Sequence, residues 1–206
     1  MVQIISIVVL IFSVIIHELA HGWIADKFGD PTPRMAGRLT WNPIPHIDPV
    51  GSILVPGILL ITGAHFFIGW AKAVPINPSN FQNPSRHMMW VALAGPLSNI
   101  SILTIGVLIL KGVLATTSGS SIVVSAVISF LIILIQTNMV LALFNLMPIP
   151  PLDGSRIVAN FIPPAAQDMM YKYEGYGMLL IIAGAYFGFF SPIFDLGFQL
   201  LQRVIL

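Results

Sequence analysis

Apolar residues in this chain come in long unbroken runs rather than in the alternating or striped patterns of water-facing elements. The first run, 2–24, is long enough to cross a bilayer, which takes about 20 residues. It closes on Asp26, Lys27, Gly29 and Pro31, a helix-stop sequence. Residues 31–49 are rich in Pro and Gly and carry Arg34, Arg38, His46 and Asp48, which predicts turns and short extended pieces. A second apolar run, 50–70, is interrupted by Pro56, Gly57 and Gly63. A third covers 88–110 and a fourth 122–146. Pro148, Pro150 and Pro151 then stop the helix, and a new one is expected from Leu152 or Asp153. A last apolar region, 178–206, is broken around Ser191 and Pro192. No internal repeat or low-complexity tract divides the chain. The expectation is one domain, 1–206, with a core to about 162 and C-terminal helices over 163–206.

Composition turns these runs into membrane helices. Of 206 residues, 56% are hydrophobic and only 8% charged, against about 25% charged in an ordinary soluble domain. Too few charges remain to clothe a water-facing surface, so the bilayer is the expected solvent. A net charge of +1 without a basic run argues against a nucleic-acid partner. The first run has no basic n-region and no small-residue cleavage site, so it reads as a retained helix and not a signal peptide. Lys27, Arg34 and Arg38 follow it, while nothing basic precedes it, which predicts an outside N-terminus and a cytoplasmic 26–49. Lys72 and Arg86 place 71–87 on the same side. Both loops share a side only if 50–70 is re-entrant; the alternative is an ordinary spanning helix. Trp23, Trp41, Trp70 and Trp90 read as interface anchors, and His65 and His87 as interfacial residues without a role.

The chemistry is concentrated where the first run ends. His17-Glu18-Leu19-Ala20-His21 is an HExxH sequence. Four residues apart on a helix, both imidazoles share one face and can hold one Zn²⁺. Glu18, one residue along, can reach a water at the metal and take its proton without being a ligand. Charged groups inside a membrane cost roughly 2.5–3.5 kcal/mol on insertion scales, so they normally have a function or a partner. The alternative, interfacial polar residues marking a helix end, accounts less well for three such groups at this spacing.

A catalytic zinc usually has three protein ligands. The chain has no cysteine, so disulfides and thiolate ligands are excluded and the third must be His, Asp or Glu. Asp26, Asp30, Asp168 and Glu174 look like loop or interface residues. Asp153, after the proline cluster, suits either ligation or an N-cap, and spacing alone leaves the two even. His46 and Asp48 form an HxD pair that could brace a ligand histidine or simply make a turn. Asn99, after Gly95-Pro96, and Asn138 read first as interhelical hydrogen bonds, with Asn99 also a candidate brace for the site.

Three segments together resemble the site-2 proteases, polytopic zinc proteases that cut other membrane proteins within or near the bilayer. They are HELAH at 17–21, AGPLSN at 94–99 and NLMPIPPLDG at 145–154, in that order. The segment 37–56 resembles compact prokaryotic members without PDZ or CBS domains, and the likeness covers about 10–162. It implies an all-α polytopic membrane protein with a three-helix catalytic core, 2–24, 88–110 and 122–146. A re-entrant or β-hairpin-like loop near 34–76 would present substrate by edge pairing. It implies one Zn²⁺ per chain held by His17, His21 and Asp153, with Glu18 as base. Asn145 would position substrate or support the site, and Asn145 or His46 would assist the oxyanion. The implied partners are membrane proteins with a transmembrane helix, and the implied place is a prokaryotic cytoplasmic membrane with the site near its cytoplasmic side. A homo-oligomer is left open. The rival functions are a membrane metal transporter, a catalytically silent binding module and a hydrolase acting on lipid. Transport needs several weak sites, and a silent module has no use for Glu18.

Overall fold

The structure is a computed structural model that describes residues 2–63, 69–116 and 121–205. Part of the expected 50–70 excursion, including His65, lies outside these residues. Three helices are long and apolar enough to cross a membrane: α1, Val2–Lys27; α4, Pro84–Thr116; and α5, Ile122–Asn145. Between α1 and α4 lie two short helices, α2, Thr32–Met35, and α3, Val55–Ile61. After α5 come α6, Asp153–Ala159; α7, Pro164–Lys172; α8, Glu174–Tyr186; and α9, Ser191–Ile205. The chain is an all-α polytopic membrane protein.

Each long helix is apolar all round, so hydrophobicity alone cannot decide which face turns inward. Side-chain polarity and size decide it. The buried residues of α1 include Val9, Ser13, His17, His21 and Ala25, a stripe repeating every four positions. Every His of the helix lies on it. Ile4, Ile7, Val8, Ile11 and Phe12 point outward, as lipid-facing residues should. α4 answers with Ala92, Gly95, Pro96 and Asn99, then Gly106, Val107 and Leu110. Small residues here let helix backbones approach closely, the usual route to packing in a membrane. Val107 and Leu110 interlock with Leu131 and Ile135 of α5 in the main apolar cluster. Pro96 is carried inside α4 without ending it, so the helix is longer than the 88–110 run at both ends.

The 31–78 connection differs from one of its expected forms. No strand forms among the described residues; the segment is built from turns, single helical turns and α3. Its prolines explain this, because each removes a donor that a strand ladder needs. The re-entrant form agrees with the geometry. The six residues Pro49–Leu54 and the seven of α3 make one apolar helix, Pro49–Ile61, short of the about 20 residues that a span takes. The Trp70 N–H donates to the Gly51 carbonyl at 3.1 Å, and Ser52 Oγ donates to the Trp70 carbonyl at 2.9 Å. The two ends of the stretch therefore lie side by side. Gly51 has to be glycine, since a Cβ would sit 2.3 Å from the Trp70 indole.

Residues 69–77 then run outside any helix toward α1. The Lys72 N–H bonds to the His46 carbonyl at 2.9 Å, and the Arg38 guanidinium bonds to the Lys72 carbonyl. Asp30, fully buried, accepts from Thr32 N, Thr32 Oγ1, Asn77 N and Asn80 Nδ2 at 2.5–3.1 Å. One carboxylate thus ties the end of α1 to the loop that returns to α4. The broken C-terminal region is α8 and α9, bent by 67° at the Ser191 junction.

Candidate metal centre

α1 places His17 and His21 one turn apart on the face that meets α4. Each ring is held by its Nδ1. His21 Nδ1 lies 2.7 Å from the Val91 carbonyl, and His17 Nδ1 lies 2.7 Å from Asn99 Oδ1. Carbonyl oxygens only accept, so both rings carry their proton on Nδ1 and leave a lone pair on Nε2. The two Nε2 atoms face each other at 3.0 Å. Two lone pairs at that distance repel unless a cation lies between them.

Asp153 completes the cluster. Its Oδ2 is 3.1 Å from His17 Nε2 and 3.3 Å from His21 Nε2, and this buried oxygen has no hydrogen-bond partner. The N-cap alternative does not hold: Leu152 takes the cap position, and Asp153 is the first residue of α6. The proline segment ends α5 and turns the chain, and Gly154 allows α6 to pass close behind. A Cβ on Gly154 would meet the Leu146 carbonyl at 2.2 Å.

These donors fit zinc. Ligands at about 2.0–2.1 Å in a tetrahedral shell stand about 3.3–3.4 Å apart, close to the three separations above. Two imidazoles and one carboxylate form a known catalytic zinc set. The opposite wall is cut away to match: a Cβ on Gly95 would sit 2.4 Å from His21 Nε2 and 2.6 Å from His17 Nε2. Among the described residues this is the one group of three such side chains close enough to share a metal ion.

Glu18 makes a contact of its own. Its Oε2 accepts the Val74 N–H at 2.9 Å. A main-chain donor leaves no residue signature, so the sequence could not announce this contact. The supporting candidates divide. Asn99 touches His17 directly. Asn145 donates to the Leu141 carbonyl of its own helix at 2.9 Å. His46 is buried with Nε2 3.0 Å from the Thr40 carbonyl, so it braces the loop and not a ligand histidine. Asp48 makes turn chemistry, accepting from Val50 N and Gly51 N.

Comparison with known proteins gives a consistent picture. The model of "Peptidase family M50" matches residues 105–189, which include Asp153. "Putative zinc metalloprotease YwhC" of Bacillus subtilis is 41% identical over 179 residues, 85% of this chain and 77% of that protein. "Putative zinc metalloprotease Rip2" of Mycolicibacterium smegmatis is 30% identical over 172 residues, covering 84% of this chain and 62% of the relative. Its namesake in Mycobacterium tuberculosis H37Rv is 28% identical over 192 residues, 89% of this chain and 70% of the relative. No solved structure matches.

Proposed function

The chain belongs to peptidase family M50, the site-2 proteases, and from that premise we propose that it is a one-zinc intramembrane endopeptidase acting on single-span membrane proteins. The observation that carries the reading is the unpartnered Asp153 Oδ2 facing two imidazole lone pairs. His17, His21 and Asp153 hold the metal, and Glu18 is the base. When bound, zinc supplies Lewis acidity toward the scissile carbonyl and makes a water more acidic. Glu18 takes that water's proton on a carboxylate oxygen while the water oxygen joins the carbonyl carbon. As the C–N bond breaks, the same oxygen delivers the proton to the leaving nitrogen. Asn145 and His46 have no geometric support as oxyanion donors, and the proposal does without them.

A substrate helix must unwind before its peptide bonds are reachable, because its carbonyls are bonded internally and its side chains cover them. The segment 69–77 offers the extended partner. The N–H groups of Trp70, Lys72 and Val74 all bond toward the body of the protein, so the alternate residues, Ala71 and Ala73, present the other edge. An unwound substrate pairs there by main-chain hydrogen bonds. The basic residues Lys27, Arg34 and Arg38 put this side of the molecule in the cytoplasm, with the N-terminus outside. The membrane is the prokaryotic cytoplasmic one, and 1–206 acts as one domain.

The test is cleavage of a panel of single-span substrates in proteoliposomes. We expect cleavage that a chelator stops and zinc restores, and that Glu18→Gln abolishes. Zinc content after Asp153→Ala should fall below half of the parent's. An undiminished content would remove Asp153 from the metal. Metal flux that survives Glu18→Gln would point to transport instead.

A further inference from the structure

His21 and His17 are oriented by different kinds of group. The Val91 carbonyl that holds His21 belongs to the backbone and cannot turn round. The Asn99 amide that holds His17 can. Rotated by half a turn, it would present NH₂ to Nδ1, move the ring proton to Nε2 and aim it at His21 and Asp153. Something must fix the amide, and the structure supplies a chain of contacts that does so.

The chain starts at an atom of certain polarity. The Leu134 carbonyl can only accept, and it lies 2.8 Å from Asn138 Nδ2. The same nitrogen donates its second hydrogen to Ser13 Oγ at 2.9 Å. Both hydrogens of Asn138 are therefore committed, and its Oδ1 faces α4. That oxygen accepts from Asn99 Nδ2 at 2.9 Å. Asn99 Oδ1 is left facing His17 Nδ1. Ser13, Asn99 and Asn138 are all at most 2% exposed, so no solvent can repair a flipped amide. Ser13 is one turn before His17 on the same stripe of α1, so the three polar residues close a loop through all three long helices.

We propose that Asn138, acting through Asn99, is a positioning residue that fixes the ring tautomer of His17 and so keeps its Nε2 open to metal. The inference rests on reading the centre as a zinc site. A plain interhelical hydrogen bond would hold the helices together equally well in either amide orientation. The proposal requires one orientation.

The experiment compares Asn138→Leu with Asn138→Asp in the full chain in detergent. Aspartate, in either protonation state, still shows an oxygen to Asn99. Zinc affinity is measured by chelator competition, thermal midpoint by unfolding, and the ring ¹⁵N shifts of His17 in metal-free protein in alkaline buffer. Asn138→Leu should bind zinc about 10–100-fold more weakly, the usual loss when a ligand's supporting hydrogen bond goes. Its His17 shifts should move toward the Nε2–H tautomer, with those of His21 unmoved. Asn138→Asp should bind within about threefold of the parent. Wild-type affinity and an Nδ1–H ring in a folded Asn138→Leu protein would overturn the proposal. If that variant does not fold, an Nε2–H tautomer at His17 in the unmodified protein would overturn it equally. A parent chain that takes up no zinc would remove the zinc reading, while the tautomer measurement would still decide the relay.

Discussion

Gly95 acts at the candidate metal centre by having no side chain. Its α-carbon faces the two Nε2 atoms, and a single methyl would occupy the space a metal needs. Alanine is about 1 kcal/mol better than glycine in a helix, so Gly95→Ala should leave α4 intact or firmer. Zinc per chain, measured by atomic absorption, should nevertheless drop to well under half. Glu18→Gln should do the reverse. Removing a general base costs roughly 10²–10⁴-fold in rate, while the zinc content stays as in the parent because Glu18 is not one of the three clustered donors. These residues were unequally legible in the sequence. HExxH spacing alone brought out His17, Glu18 and His21. Asp153 was even between ligand and cap until the resemblance was considered, and with Leu152 at the N-cap position the cap alternative falls away. Asn138 looked like an ordinary interhelical contact and Ser13 drew no reading at all, because a hydrogen-bond direction cannot be read from residue identity.

At the scale of elements, the long helices were legible and their connection was not. Runs of some 20 apolar residues have one stable form in a bilayer, so α1, α4 and α5 follow directly. The 31–78 connection depends on main-chain donors finding particular acceptors, and its described residues form no strand of the expected β-hairpin alternative. Asp30 shows how such a loop is held. Burial opposes its ionisation, but the Thr32 hydroxyl, the Asn77 N–H, the Asn80 amide and the Thr32 N–H together outweigh burial and hold the carboxyl below its usual value of 3.8. A depressed folded pKa gives stability that is present above the unfolded value and lost as pH falls through the folded one. The thermal midpoint should therefore be insensitive to pH near neutrality and fall below about pH 4. Asn at position 30 should lower the midpoint at pH 7 and flatten that acid slope, which calorimetry in detergent would reveal.

For the whole molecule, the proposed arrangement, three spans with 50–70 re-entrant, puts the candidate metal centre, the 69–77 segment and the basic loops at one end. The chain contains no cysteine, so single cysteines can report sidedness without background. Met35→Cys, at a residue 81% exposed, should react with an impermeant maleimide in inverted vesicles and not in intact spheroplasts. Val2→Cys should show the opposite. The hydrogen bond from Val74 to Glu18 has a consequence for how such a protein is surveyed. Its donor is a peptide N–H, so every side-chain replacement at position 74 except proline leaves the donor in place. A complete mutational scan would score position 74 on packing alone and pass over its contact with Glu18. Only an edit to the polymer itself, an α-hydroxy acid that turns the amide into an ester, would delete that contact and show what the carboxylate does once released.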